Sequence, residues 1–327
     1  MTTHLNPRRL LLAAVGAIVL AATGPAMAQA WPTKPVKIVV PFAAGGTTDV
    51  VARLLGQRLS EMWGQTVVVE NRAGAGGNLG ADAVVKSTPD GYTLLMASGS
   101  ITINPNLYAK MPFDTAKDLL PITNVASGPM LVVVPSKLPY LSIKEFVAAA
   151  KAKPGSFSFG SSGVGGQVHL AGENFADAAG IEMQHVPYKG EAPAYTDLVS
   201  GQTQVMVGNI AVAAALLGPD RLRALAVTGK QRSPLLPDVP TVAEAGLPGV
   251  EYTGWFGLLA PAGAPPEVVA KVHRDTVAAL GDSQIKGRLY VLGMAPVGSS
   301  PVEFGQQMST EIKRWAQVVK NRKLTAN

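Results

Sequence analysis

From Val36 onward, short apolar runs alternate with segments whose hydrophobic positions recur at helical spacing. The run Val36-Lys37-Ile38-Val39-Val40 has the length of a buried strand. Behind it, Val50, Val51, Leu54, Leu55 and Leu59 fall on one helix face. The same rhythm predicts further strands over 66–70, 92–97, 131–134, 157–159, 204–207, 222–228 and 255–259. Predicted helices run to Val85 from the glycines at 76–77, from Ser142 to Lys151, from Gln167 past Phe175, and over 193–199. Two more run from Pro266 to Leu280 and onward from Pro301. Ser142 with Glu145 forms a capping box, and Pro266 suits a first helical turn. In the last helix Phe304, Met308, Ile312 and Trp315 form a row that reads as core packing. Strands alternating with helices point to an α/β fold.

Two connections stand out. Phe42-Ala43-Ala44-Gly45-Gly46-Thr47 joins the first strand to its helix, and Ser161-Ser162-Gly163-Val164-Gly165-Gly166-Gln167 does the same in the other half of the chain. Glycine lets a backbone turn tightly, and the first N–H groups of a helix have no intrahelical partner and carry the positive dipole end. A strand–glycine turn–helix unit can therefore hold an anion without a charged side chain. One such turn alone is an ordinary connection capped by Thr47 or Thr48; two of them suggest a shared ligand. Ser98, at a Ser-Gly-Ser strand end, is a further candidate lining residue.

Several sharper readings fail. The Gly74-Ala75-Gly76 turn has Leu79 where a dinucleotide fingerprint needs its third glycine. Ser162 has Gly160 before it but Val164 after it, so it is no nucleophile elbow. Four histidines, with no His-x-x-x-His pair and no justified Ser–His–carboxylate set, argue against an exported hydrolase. No cofactor is expected.

Composition adds location. Arg8 and Arg9 precede an apolar stretch from Leu10 to Ala22, and Ala26-Met27-Ala28 has the form of a cleavage site. Residues 1–30 thus read as a signal peptide, cut after Ala28 or Ala30, and exported by the general route in preference to the twin-arginine one. Without them Lys+Arg falls from 28 to 26 against 22 acidic residues, a formal +4. That charge is too mild for nucleic acid and mildly favours anionic ligands. With no cysteine there is no disulfide, thiolate-bound metal or lipidation site, so a soluble exported protein is expected.

Longer motifs carry a resemblance. Residues 41–49, Val68-Val69-Glu70-Asn71-Arg72-Ala73-Gly74-Ala75-Gly76-Gly77, Pro89-Asp90-Gly91-Tyr92, Ser161 to Gly165, His185-Val186-Pro187-Tyr188-Lys189-Gly190, residues 236–246 and Trp255-Phe256-Gly257 all resemble the Bug-type substrate-binding proteins of tripartite tricarboxylate transporters. The likeness covers essentially all of the chain after residue 30. It implies a periplasmic two-domain binding protein of type II, a "Venus flytrap" with the ligand cleft between domains. One domain would combine 31–129 with 253–327, the other span 130–252. The implied ligand is a small carboxylate (di- or tricarboxylate, acidic amino acid or aromatic acid) gripped by the two loops. The implied partners are the transporter's membrane subunits, or a sensor kinase if the protein serves signalling.

Remaining candidates are weighed beside this. Asp49, close to the first loop, is read as a structural partner of Arg53 pointing away. His169 could donate to a ligand oxygen or be a satisfied helix histidine. Lys189 is a cation in a glycine turn, with a solvated lysine as the plainer reading. Gly208-Asn209 stands where the family carries Asp-Asn. With no carboxylate in either main loop, this points to a ligand without an amine. Trp255 is either a cleft wall or core.

Overall fold

The computed structural model describes residues 31–326; the predicted signal peptide at 1–30 lies outside the described residues. The first half is a βα series: β1 (Val36–Val40), α1 (Thr47–Trp63), β2 (Val67–Asn71), α2 (Asn78–Val85), β3 (Thr93–Ser98), α3 (Ser100–Leu107) and the short α4 (Thr115–Asp118). β4 (Leu119–Pro135) then leads through α5 (Ile143–Ala152), β5 (Phe157–Ser161), α6 (Gln167–Ala179), β6 (Met183–Pro187) and α7 (Glu191–Ser200). The chain continues with β7 (Met206–Asn209), α8 (Ile210–Ala213), β8 (Leu222–Val227) and β9 (Thr253–Pro261). It ends with α9 (Pro266–Gly281), α10 (Ser283–Val291), β10 (Ala295–Pro296) and α11 (Pro301–Arg322).

β1 lies between β2 and β3, parallel to both, so the turns after these strands gather at one sheet edge. β9 runs antiparallel between β3 and β4. The organising element is β4, which is 17 residues long. Its first part pairs with β9 as far as Pro129 opposite Thr253, and from Met130 onward it pairs with β7 and β8. β5 and β6 form a parallel pair. Residues 34–326 form one compact unit with two apolar cores. One, around Val39, Leu95, Leu259 and Phe304, lies beside the β1–β3–β9 strands. The other, around Val132, Phe146, Phe159 and Phe175, lies beside β4, β5 and β7. The predicted row on α11 serves both, Phe304 and Met308 entering the first core and Trp315 the second. Trp255 is core: it is 1% exposed and its indole N–H donates to Glu311.

Differences from the predicted elements have local causes. The part of β4 paired with β9 carries Pro121 and Pro129, which cannot donate to a ladder, and its register shifts near both Pro121 and Asn124. α3 contains Pro105, and β6 is half-exposed and closed by Pro187, so neither has a clean pattern. Among the described residues, no helix is long and apolar enough to cross a membrane.

Candidate functional site

The first turn sits where β1 feeds α1. Gly45 has φ +81°, a conformation that L side chains rarely adopt, and Gly46 caps the helix in extended geometry. The second turn sits where β5 feeds α6. Gly165 has φ +80°, and a Cβ there would collide with Asn104 Oδ1. The fold brings the two turns face to face. Phe42, Gly46, Thr47, Thr48, Ser98, Ser162, Gln167 and Glu191 line one cavity of about 10 Å³, room for roughly one water. Wider concavities of about 490 and 640 Å³ lie near α11 and beside α7, and no residue of the second turn lines either.

Direct bonds join the facing segments. Ala43 N–H donates to the Lys189 carbonyl at 3.1 Å, Tyr108 O–H to the Val164 carbonyl at 3.1 Å, and Thr47 Oγ1 to Glu191 Oε2 at 2.7 Å. Asn209 Nδ2 donates to the other Glu191 oxygen, and the backbone N–H groups of Thr47 and Asn209 also point at this carboxylate. Glu191 thus places a buried carboxyl group at the start of α1. Burial pushes its carboxyl above the usual range, although these donors pull the other way.

Asp49 does pair with Arg53, as expected, but it also accepts the Gly45 N–H at 3.0 Å and the Asn71 amide at 2.9 Å. Burial raises its carboxyl and the bonds from Arg53, Gly45 and Asn71 outweigh that, leaving it below the ordinary value. Three amides of the first nest, those of Ala43, Gly45 and Thr47, are therefore already used.

The second turn rests on imidazoles. Gly165 N–H donates to His169 Nδ1 at 3.2 Å, and the Ser161 hydroxyl meets His185 Nε2 at 2.6 Å. The two rings stack with centroids 3.8 Å apart, and Phe159 stacks on His185. Burial, and then the neighbouring His169, push the His185 pKa down to about 3, so it is neutral. His169 is buried beneath the turn. The Gly163 and Gly166 N–H groups bond within the turn.

Of the predicted residues, Phe42, Gly46, Thr47, Ser98, Ser162 and Gln167 line the cavity. Asn209 reaches it through Glu191, Ala43 and Val164 supply bridging backbone groups, and Ser161, Gly163, Gly165, Gly166 and His169 shape the second turn. Ala44 and Gly45 are exposed, and Lys189 contributes its carbonyl while its residue is exposed. Thr48 and Glu191 were missed by sequence reasoning. Neither main loop holds a carboxylate, as read from sequence, but Glu191 brings one to the cavity from the start of α7. Its only signal was its place directly after Gly190, where an acidic residue reads as a plain helix start.

Comparison with known proteins settles the family. The model described as "Tripartite tricarboxylate transporter family receptor" matches residues 51–324. The chain belongs to this receptor family. Among the family's relatives, Protein BugT of Bordetella pertussis is 37% identical over 314 residues, covering 95% of this chain and 96% of BugT. A Rhodopseudomonas palustris protein solved with adipate superposes with a TM-score of 0.87 at 38% identity, over 90% of this chain and 99% of that one. MatC from the same organism, with bound malate, gives 0.84 at 33% identity, over 88% of this chain and all of MatC. Members of this receptor family are periplasmic solute-binding proteins and not enzymes, and the fold matches theirs.

Proposed function

We propose that this protein captures a small carboxylate in the periplasm by closing two lobes around it, then delivers it to the membrane subunits of a tripartite tricarboxylate transporter. The observation that carries the reading is a cavity lined from both glycine turns, with helix starts on either side. Adipate and malate in two relatives point to the same ligand chemistry. The lobes divide at Pro129 and Tyr252, where β4 exchanges β9 for β7 and β8 as its partners. A cavity this small admits a ligand only after the turns separate, so a ligand bridging both turns favours the shut arrangement by differential affinity.

A thermal-shift panel of carboxylates, adipate and malate included, tests this. A ligand at 100 times its Kd adds about 2.7 kcal/mol of stability and raises the melting temperature. A flat response across mono-, di- and tricarboxylates would remove the proposal.

A further inference from the structure

Another cavity lies away from the turns, where β4 exchanges its partners. It has a volume of about 460 Å³ and shares no lining residue with the cavity between the turns. Pro129, Pro234, Leu235, Tyr290, Met294 and Ala295 give it apolar walls, and Tyr290 is left 51% exposed. None of the described residues lining it is acidic. Of its two cations, Arg232 is held by Glu244 at 2.9 Å and by the Pro237 carbonyl at 3.0 Å. Lys230 is exposed, and among the described residues its side chain has neither an ion pair nor a hydrogen bond.

This size, with mostly apolar walls and one uncommitted charge, is the make-up of a small-molecule pocket. An apolar chain laid along the walls leaves water, and an anionic end meets Lys230 with no carboxylate in the wall to oppose it. A neutral chain would leave Lys230 unused, and a bare anion would leave the walls unused. We propose that this cavity binds a free amphiphilic anion, its single short chain against the apolar walls and its charged end at Lys230.

The walls come from both sides of the crossing. Gly229, just after β8, packs against Pro129; Gly293 and Met294, just after α10, pack against Gly128. On the two-lobe reading above, from which this consequence follows, those walls belong to different lobes, and opening changes their separation. An occupant that fits the cavity in its present form therefore favours the shut arrangement.

Calorimetry with hexanesulfonate, whose head is not a carboxylate, tests the site against methanesulfonate (head alone) and hexanol (chain alone). Hexanesulfonate should bind at least tenfold more tightly than either. Lys230→Glu, at an exposed position, should weaken it tenfold or more, and Tyr290→Ala severalfold. Gly46→Asp, which sets a carboxylate in the first turn, should leave it unchanged. Hexanesulfonate should also slow hydrogen exchange at the Ala43 amide, which bridges the turns.

Affinity no better than a control, indifference to Lys230→Glu, or loss in Gly46→Asp overturns the site, the last by placing the probe between the turns. Sedimentation with anionic phospholipid vesicles that depends on Lys230 overturns it in favour of a membrane surface. Unchanged or faster Ala43 exchange removes the coupling and leaves the site. Hexanesulfonate binding by a protein that ignores every carboxylate keeps the site and ends carboxylate capture.

Discussion

The two glycine turns are built alike and behave as opposites. Both follow a strand, both open a helix, and both use a left-handed glycine at the bend. Around the first, the groups that set the local chemistry are carboxylates: Asp49 from its own helix and Glu191 from across the cavity. Around the second they are imidazoles, one of them held neutral by burial. A shared backbone geometry therefore gives a nest filled by the protein's own carboxyl groups on one side and a nest backed by imidazoles on the other. Backbone form sets what a turn is able to bind; the side chains packed behind it set what remains to be bound.

The strongest way to break this contrast is Gly46→Asp. Gly46 has an ordinary φ of −78°, and a Cβ there would find nothing nearer than 3.6 Å. The fold should survive while a second carboxylate crowds Glu191. Ligand affinity should fall more than 100-fold, about 2.8 kcal/mol, as read by calorimetry. Gly163→Asp is a poorer probe because Gly163 has φ +124° and would be strained by any side chain.

Next in size is the opposed pH response of the two sides. His185 has a folded pKa of about 3, below the ordinary 6.5. The unfolded chain thus binds the extra proton between these values. The contribution is complete above pH 6.5 and falls as pH drops toward 3, at up to roughly 1.4 kcal/mol per unit. Denaturant titrations from pH 7 to 5 should show a shallower loss for His185→Gln than for wild type. Glu191 has the reverse sign: its folded value is raised, so its contribution is complete below the ordinary 4.5 and is lost as pH rises through the folded value. Replacing it with Gln should therefore make the ligand-free protein relatively more stable at neutral pH than at pH 4.

Asp49→Asn should cost about 1–2 kcal/mol at pH 7, since it weakens charge-assisted bonds to Gly45, Arg53 and Asn71. Chemical denaturation checks this. The smallest effect belongs to Tyr108→Phe, which removes one bond to the Val164 carbonyl. It should loosen the shut arrangement by about 0.5–1.5 kcal/mol, seen as faster exchange of amides in the second turn with the global melt little changed.

The turns themselves were legible because each is a contiguous motif between an apolar run and a helical stripe. Five of the cavity's lining residues were named from sequence on that basis, and Ser98 from the Ser-Gly-Ser end of its strand. Glu191 was not, because its role depends on Thr47, 144 positions away, and on Asn209, 18 positions away. His185 was hidden in the same way: its partner Ser161 is on the neighbouring strand, and only the pairing of β5 with β6 brings them together. Length was misjudged where prolines interrupt a strand, as in β4, although its apolar half from Leu131 to Val134 was clear.

The continuous run of β4 through both sheets has a mechanical consequence. On the proposed two-lobe reading the rod is shared, so separating the turns would take a bend within Ser127-Gly128-Pro129 and in the neighbouring start of β9, not the loosening of a slack tether. Gly128 lies against the Gly293 carbonyl and Met294, with no space for a larger residue. A side chain placed there would push on the pivot itself and so shift the resting balance between gaping and shut forms without touching any atom that meets the ligand.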